Sequence, residues 1–379
     1  MGEKMNKKDL KQTVLENFEY LSSISVKEYT LYRKWVDIQQ RYPVKETNMD
    51  DFFDTIPDPY PELNEIKENI YIPENVDDYL DLEPEMVFID NKGDNFIWNS
   101  LRHMCHSAVW HASPGRLLRF YIKDKVTGKY LGFISLGSDF IGVGGRDKFI
   151  GWNTEDKLKG GMLRHTAMGS SIAAVQPLGF NYNAGKLMAL LTASSVVSDK
   201  WFQKYNESLV GVTTTSLYGG ASMYNRLKYW RKCKSTTGEI SIEPSEDVYD
   251  LMREYYKKHD IDSYKKDISG SHPKTRVLSS VYKLLGVKPP INNAPRGVYW
   301  NELYHNTKDF LCRRTTELTD KKYDNSVDAL TELWKEKYAK KRVQNLTKDA
   351  RFSTDILFYN DMITDDWDTI RERYLSNKP

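Results

Sequence analysis

The side chains best suited to chemistry lie in the middle of the chain, around a glycine-bearing segment at residues 176–186. The pattern predicts a strand at Ile172–Gln176 and a helix at Ala184–Tyr205, so the segment between them would present free backbone N–H groups. With the helix dipole, such groups can hold a pyrophosphate. The predicted contacts to this anion are Gln176, Gly179, Asn181, Gly185 and Lys186. The spacing is not that of a Walker A loop, and an ordinary strand-to-helix turn is the alternative.

A second group of residues combines positive charge with aromatic rings. From Ser208 to Gly238 the sequence has no acidic residue, and a short helix is predicted at Met223–Trp230. Cations interleaved with aromatic rings suit contacts with phosphates and stacking on bases. A base that must enter a pocket would be flipped out or single-stranded. The predicted nucleic-acid contacts are Arg226, Lys228, Tyr229, Trp230, Arg231, Lys232 and Arg296. A solvated helix face with two buried aromatic rings is the alternative.

The net charge of +2 hides a strong asymmetry along the chain. Between Glu46 and Asp90 there are fifteen acidic residues and one basic residue, so the remainder of the chain is markedly basic. From Ile268 to Asn301 there is again no acidic residue, against five basic ones. Basic regions of this kind are typical of proteins that bind polyanions, and DNA is the predicted partner.

Other features restrict the class of protein. Three cysteines, far apart and without a C-x-x-C pair, argue against a disulfide framework and favour a cytoplasmic protein. The charged N-terminus does not have the pattern of a secretory signal, and no apolar run is long enough to span a membrane. His103 and His106 lie three residues apart on a predicted helix, but no third ligand is evident nearby, so no metal site is predicted.

The elements that must position these residues form a mixed α/β pattern. A helix at 95–112 precedes a hairpin of Leu117–Lys123 and Tyr130–Leu136, and the anion segment follows. Further strands are predicted at Leu209–Thr214 and Glu239–Ile242, and further helices at 8–40, 246–258, 275–286 and Lys321–Asn345. The predicted organisation is a helical segment at 1–42, an acidic proline-rich arm at 43–94, an α/β core at 95–245, and a basic, mainly helical region at 246–379.

This order of elements resembles the GNAT (N-acetyltransferase-like) fold, in which a Gln/Arg-x-x-Gly-x-Gly/Ala loop after the central strand binds the pyrophosphate of acetyl-coenzyme A. The segment from Gln176 to Asn181 is similar in its first four positions and departs at the last. Over roughly residues 115–240 the chain also resembles the Druantia anti-phage DruA family and, more distantly, the Mom proteins of phage, which are GNAT-related modifiers of adenine in DNA. This resemblance is carried by Leu131–Ser138, Gly151-Trp152, Asp199–Trp201 and Tyr218–Trp230.

The resemblance implies a GNAT-like mixed sheet flanked by helices, and a transferase that modifies DNA with acetyl-coenzyme A or a related acyl donor. In that layout Tyr224 or Tyr218 would be the general acid, Asp139 the base, and Ser216, with the threonines before it, would orient groups or relay protons. It also implies a protein partner in a defence or phage system. Two alternatives stay open: a catalytically silent nucleic-acid-binding module, and a nuclease, for which the sequence has no H-N-H pattern and no convincing cluster of paired carboxylates.

Overall fold

The computed structural model describes residues 6–42, 61–108, 115–216, 222–236, 239–270, 273–293 and 295–376. Within these ranges the strands are β1 (Pro84–Phe88), β2 (Leu117–Asp124), β3 (Tyr130–Ser138), β4 (Thr166–Ala174), β5 (Gly211–Thr215), β6 (Trp230–Thr236), β7 (Glu239–Ser241), β8 (Ile291–Asn293) and β9 (Arg296–Glu302). Seven of them form one sheet in the order β1-β2-β3-β4-β5-β9-β6, and β7 pairs with β8 separately. In the seven-stranded sheet β4 and β5 are parallel, and the other neighbours are antiparallel.

The chain divides into two units, each built from separate stretches of sequence. The larger unit contains Ile38–Thr236 and Pro295–Asp366, and the smaller contains Met1–Asp37, Thr237–Ala294 and Trp367–Pro379. This division differs from the predicted boundaries at 42, 94 and 245, because β1 comes from the acidic arm and β9 from the C-terminal region.

The α-helices are α1 (Lys7–Ser23), α2 (Val26–Arg41), α3 (Pro61–Glu68), α4 (Lys92–Cys105), α5 (Gly144–Ile150), α6 (Thr154–Lys157), α7 (Leu178–Tyr182), α8 (Ala184–Leu191), α9 (Ser195–Tyr205), α10 (Glu246–His259), α11 (Ile261–Ile268), α12 (Pro273–Leu285), α13 (Thr307–Leu311), α14 (Val327–Trp334), α15 (Lys340–Lys348) and α16 (Trp367–Ser376).

Helices cover both faces of the sheet. Gly132 and Phe133 are neighbours in β3, so their side-chain positions point to opposite faces. Phe133 packs against Trp98 of α4, with ring centroids 6.0 Å apart. A Cβ atom at Gly132 would lie 2.5 Å from Sδ of Met188, so glycine allows α8 to approach on the other face. The predicted class, a mixed central sheet flanked by helices, is therefore confirmed.

Several predicted elements differ from the structure in their extent or type. The helix predicted at 8–40 is two helices, α1 and α2, and the helix predicted at 95–112 is α4, which ends at Cys105. The segment predicted as a helix at Met223–Trp230 is a series of turns that leads into β6, because Arg226 and Tyr229 have left-handed backbone conformations (φ 57° and 71°) that end a helix. The helix predicted at Ala184–Tyr205 is interrupted before α9, whose N-cap is Ser194. The long helix predicted from Lys321 begins at Val327, where the Ser326 side chain caps it, and continues through a π-helical turn into α15.

The acidic arm is folded in its described part. That part contains α3 and β1, and the aromatic rings of Tyr71 and Tyr79 are buried. Within the described ranges no helix combines the length and apolarity that crossing a membrane requires. In the same part of the chain, His, Cys, Asp and Glu side chains do not form a group of three that could hold a metal ion.

Candidate functional site

The sheet opens where its two parallel strands part. β4 and β5 are paired over only four residues, ending at Gly169 and Thr214, whereas β4 runs on to Ala174. At the same point Ser170 forms a β-bulge against β3, and it is exposed in a strand that is otherwise mostly buried. Bulges are frequent beside active sites, and α/β proteins bind ligands where the carboxyl ends of strands part. The opening is therefore one candidate site.

Tyr224 stands beside this opening. Its hydroxyl lies 3.4 Å from Oγ1 of Thr214, which itself donates to the Gly169 carbonyl at 2.9 Å. Its ring packs against those of Trp230 and Tyr299, with centroids 5.5 and 5.1 Å away. Burial raises the pKa of Tyr224 well above its ordinary value, so the hydroxyl keeps its proton at neutral pH. This placement suits both the predicted general acid and a packed core tyrosine, and the role stays a prediction.

Asp139 is held in a buried ionic network. Its Oδ1 lies 2.5 Å from Nη1 of Arg146, and its Oδ2 accepts from Oγ1 of Thr213 at 2.8 Å. Arg146 also donates to Asp147, which in turn accepts from Lys157. A base needs a free lone pair directed at the substrate, but both oxygens of Asp139 already have partners inside the protein. The geometry favours Asp139 as an anchor for Arg146.

The two remaining predicted catalytic residues are Ser216 and Tyr218. The Ser216 hydroxyl accepts from the Gly297 amide at 2.8 Å, and the Ser216 amide donates to the Gly297 carbonyl at 2.9 Å. Ser216 therefore ties the end of β5 to β9. Tyr218 lies outside the described residues.

The predicted pyrophosphate segment is folded into α7 and the start of α8. The amides of Gly179 and Asn181 donate to backbone carbonyls at 2.8 and 2.9 Å, and the amide of Phe180 donates to Oε1 of Gln176 at 2.8 Å. Asn181 is buried, and its side chain exchanges two hydrogen bonds with the backbone of Ser353, at 2.6 and 3.1 Å. These groups are consumed internally. The amides of Gly179, Phe180 and Asn181 are therefore not free to hold the pyrophosphate of an acyl-coenzyme A donor.

Lys186 fixes the turn that carries Tyr224. Its Nζ donates to the carbonyls of Met223 and Asn225 at 2.5 and 2.8 Å, and burial lowers its pKa to about 8. A Cβ atom at Gly185 would lie 3.0 Å from Sδ of Met223, so the turn packs closely on α8. Lys186, which was predicted to contact a phosphate, thus holds the backbone on both sides of Tyr224 beside the opening of the sheet.

A cleft of about 480 Å³ lies over the edge strand β6 and its neighbour β9. Five aromatic rings, three cations and one carboxylate line it. They are Phe149, Tyr229, Trp230, Arg231, Lys232, Trp300, Glu302, Lys322 and Tyr323. The cleft thus contains four of the predicted nucleic-acid contacts and five residues that the sequence analysis did not select.

Flat rings and cations are already paired in this cleft. The rings of Tyr229 and Tyr323 are stacked, with centroids 3.6 Å apart and planes 5° from parallel. The Arg231 guanidinium lies 4.5 Å from the centre of the Phe149 ring, and Lys228 Nζ lies 5.0 Å from the centre of the Tyr229 ring. Aromatic platforms flanked by cations are the usual means of holding single-stranded nucleic acid.

Several buried polar atoms of the cleft residues are unsatisfied. Nε1 of Trp230, Nε1 of Trp300 and Oε1 of Glu302 have no hydrogen-bond partner among the described residues. Oε2 of Glu302 accepts from Lys322 at 2.6 Å. A buried polar atom without a partner costs about 1–3 kcal/mol.

The backbone beside the cleft is strained. Arg226, Tyr229 and Lys234 all have positive φ, at 57°, 71° and 77°. Tyr338 supports this segment, since its hydroxyl accepts from the Lys228 amide at 2.7 Å and donates to the Arg226 carbonyl at 3.2 Å. Each such residue costs on the order of 1–3 kcal/mol, and such residues cluster at functional sites.

The predicted nucleic-acid contacts fall into two groups. Exposed cations on or before β6 are Arg226, Lys228, Arg231 and Lys232. Arg296 is different: it is partly buried at the start of β9, opposite Thr236, and burial lowers the pKa of its guanidinium. Lys322 and Tyr323 were not among the predicted contacts, because both lie within the helix predicted at Lys321–Asn345. The helix-capping pattern at Ser326 could have excluded them from that helix.

Comparison with known proteins gives a consistent family. A sequence model of the Druantia protein DruA family matches residues 44–313. The chain is 26% identical over 221 residues to the Druantia protein DruA of Escherichia coli (strain UMEA 4076-1), covering 52% of this chain and 53% of that protein. It thus spans about half the length of this curated relative, and no solved structure matches it. Since the family match covers more than half of the sequence, the chain belongs to the Druantia DruA family.

Proposed function

We propose that this protein acts in anti-phage defence by binding nucleic acid whose bases are unstacked, in the cleft over β6 and β9. The defence role comes from the DruA family, whose name places its members in the Druantia system. A protein partner within that system is part of the proposal. The observation that carries the binding role is the stacked pair Tyr229–Tyr323, flanked by exposed cations at the mouth of an aromatic cleft.

The chemistry of the cleft favours single strands over duplexes. A base in a duplex has both faces covered by its neighbours, whereas an unstacked base can lie on Tyr229 or insert beside Trp230. Arg231 and Lys232 are exposed on the edge strand β6, where a phosphate backbone can pass along them.

The binding role is tested by fluorescence anisotropy with labelled single-stranded DNA. Tyr229→Ala is expected to weaken binding about five- to 150-fold, because stacking contributes about 1–3 kcal/mol per base. Tyr229→Phe should keep most of the affinity because it keeps the ring. Replacing Arg231 and Lys232 together by alanine should lower the slope of log K against log salt by about 1.4.

Tyr20→Ala is the matched control, since it removes a tyrosine that is 52% exposed in the smaller unit. It should bind as the unaltered protein does. Circular dichroism of each variant shows whether its fold is kept. Equal affinities for Tyr229→Ala and Tyr20→Ala, with both proteins folded, would exclude the cleft as the binding site.

A second candidate is a DNA-modifying transferase that acts at the sheet opening. It is favoured by the position of Tyr224 beside the parting of β4 and β5 and the bulge at Ser170. The acyl donor and the relation to GNAT and Mom proteins stay predictions, and the amides of Gly179, Phe180 and Asn181 are not free to bind a donor.

Mass spectrometry of nucleosides from cells that express the protein tests this candidate. A DNA-modifying transferase predicts a modified nucleoside that Tyr224→Phe removes, because the phenylalanine keeps the ring packing and loses the proton donor. Unmodified DNA from well-expressed, folded protein would count against the transferase and leave the binding role intact.

A further inference from the structure

The smaller unit contains two consecutive helices, α11 and α12, that are close together in sequence. α11 and α12 both pack on α10. The side chain of Asp260 caps α11 by accepting from the Ser263 amide at 3.0 Å, Pro273 is the first residue of α12, and Gly286 follows its last turn with φ 63°. Four residues, including Gly270, connect the two helices. Two packed helices separated by about four residues with a glycine are typical of a helix-turn-helix motif, whose second helix enters the major groove in DNA-binding members.

The packing of α12 determines which of its faces is free. Val277, Leu278, Val281 and Leu285 are buried in the core shared with α1 and α10. Asp267 of α11 accepts hydrogen bonds from Ser280 at 2.6 Å and from Tyr256 of α10 at 3.0 Å, which ties the three helices together. The opposite face of α12 is exposed and carries Thr275, Arg276, Ser279 and Lys283.

The charge on this face is of one sign. No acidic residue occurs between Ile268 and Asn301. In α12, Lys274 is paired with Glu246, whereas Arg276 and Lys283 are exposed on the face itself. By contrast, the exposed residues of α10 mix Asp250 and Glu254 with lysines. A face with arginine, hydroxyl groups and lysine is complementary to the base edges and phosphates of duplex DNA.

We propose that α12 is a recognition helix that lies in the major groove of double-stranded DNA. Arg276 and Ser279 contact base edges, and Lys283 contacts a phosphate. This surface belongs to the smaller unit, and its ligand is a duplex, whereas the cleft over β6 and β9 takes unstacked bases. The inference therefore goes beyond the proposed function and does not depend on the cleft.

Selection from a pool of random-sequence duplexes by the full chain tests this proposal. The expected result is an enriched sequence motif, because a helix in the major groove reads base edges directly. Replacing Arg276 and Lys283 together by alanine should weaken binding to the selected duplex about ten- to 100-fold and lower the salt slope by about 1. Ser279→Glu, which places a carboxylate in the middle of the face, should have an effect of similar size.

The matched control replaces Lys257 and Lys258 of α10 by alanine, which removes two exposed cations from another helix. It should keep the affinity for the selected duplex within about twofold, since only scattered phosphate contacts could be lost. Binding of single-stranded DNA should be unchanged by the α12 variants, which separates this surface from the cleft. Recovery of no motif, or equal losses of affinity for the α10 and α12 variants, would show that α12 is not a recognition helix. The same conclusion would follow if the chain bound an acidic protein and did not bind any duplex.

Discussion

Arg146→Met is expected to destabilise the larger unit by about 3–5 kcal/mol, because it leaves the buried carboxylate of Asp139 without its cation. The Arg146 guanidinium is fully buried and lies 2.5 Å from Oδ1 of Asp139 and 2.7 Å from Oδ1 of Asp147. Methionine retains an unbranched apolar side chain and removes the charge. Lys157 can still compensate Asp147, at 2.8 Å, but Asp139 would keep only its neutral partners. Urea denaturation followed by near-ultraviolet circular dichroism measures the loss.

Arg314→Met is the control for this prediction. Arg314 pairs with Asp309 at 2.9 Å, but both side chains are more than half exposed, at 64% and 54%. Exposed pairs contribute about 0–1 kcal/mol, so this variant should unfold close to the unaltered protein. Adding Asp139→Asn to Arg146→Met should recover part of the loss, because the buried group is then uncharged. Similar losses for the Arg146 and Arg314 variants would refute the role assigned to the buried network.

Gly211→Val is expected to prevent the larger unit from folding stably. A Cβ atom at Gly211 would lie 2.2 Å from Cη2 of Trp300, whose ring crosses the backbone of β5 and is 1% exposed. The ring cannot move out of a close-packed core without disturbing its neighbours, and overpacking costs about 1–3 kcal/mol or more. Valine adds two further methyl groups at this point. Soluble yield and thermal unfolding measure the effect.

Gly144→Ala is the matched control, because a Cβ atom there meets nothing within 4 Å and Gly144 is the first residue of α5. It should leave the unfolding temperature unchanged or raise it slightly, since alanine favours the helix. Gly211→Ala should cost less than the valine, and adding Trp300→Leu should recover part of that loss by making room for the new Cβ atom. A fully stable Gly211→Val protein would contradict this packing.

Features set by neighbouring residues could be predicted from the sequence. The hairpin of β2 and β3 and the helices α10 and α12 follow local alternation or helical periodicity. The turns before β6 could not be predicted, because Tyr224, Leu227 and Trp230 are buried at intervals of three residues and resemble one face of a helix. Each interval is instead a separate turn. The Leu227 amide donates to the Tyr224 carbonyl, and the Trp230 amide donates to the Leu227 carbonyl.

Partners that are distant in sequence account for the rest. The side chain of Asn181 is matched to the backbone of Ser353, and this pairing changes a predicted anion site into a packing contact. Tyr229 was predicted as a contact because it lies among cations and other aromatic rings in the sequence. Its stacking partner Tyr323 is far away in sequence, since a stretch that belongs to the smaller unit comes between them. The sequence therefore predicted the cleft residues on and next to β6. The residues that face them could be identified only from the structure.

The most direct test of the central claim is photo-crosslinking to single-stranded DNA that carries bromodeoxyuridine, followed by mass spectrometry of the cross-linked peptides. Binding of an unstacked base in the cleft predicts cross-links to Tyr229, Trp230 or Tyr323, since these rings line it. Their yield should fall in Tyr229→Ala and persist in Tyr20→Ala. Cross-links confined to residues outside the cleft, at a DNA concentration that saturates binding, would contradict the proposal.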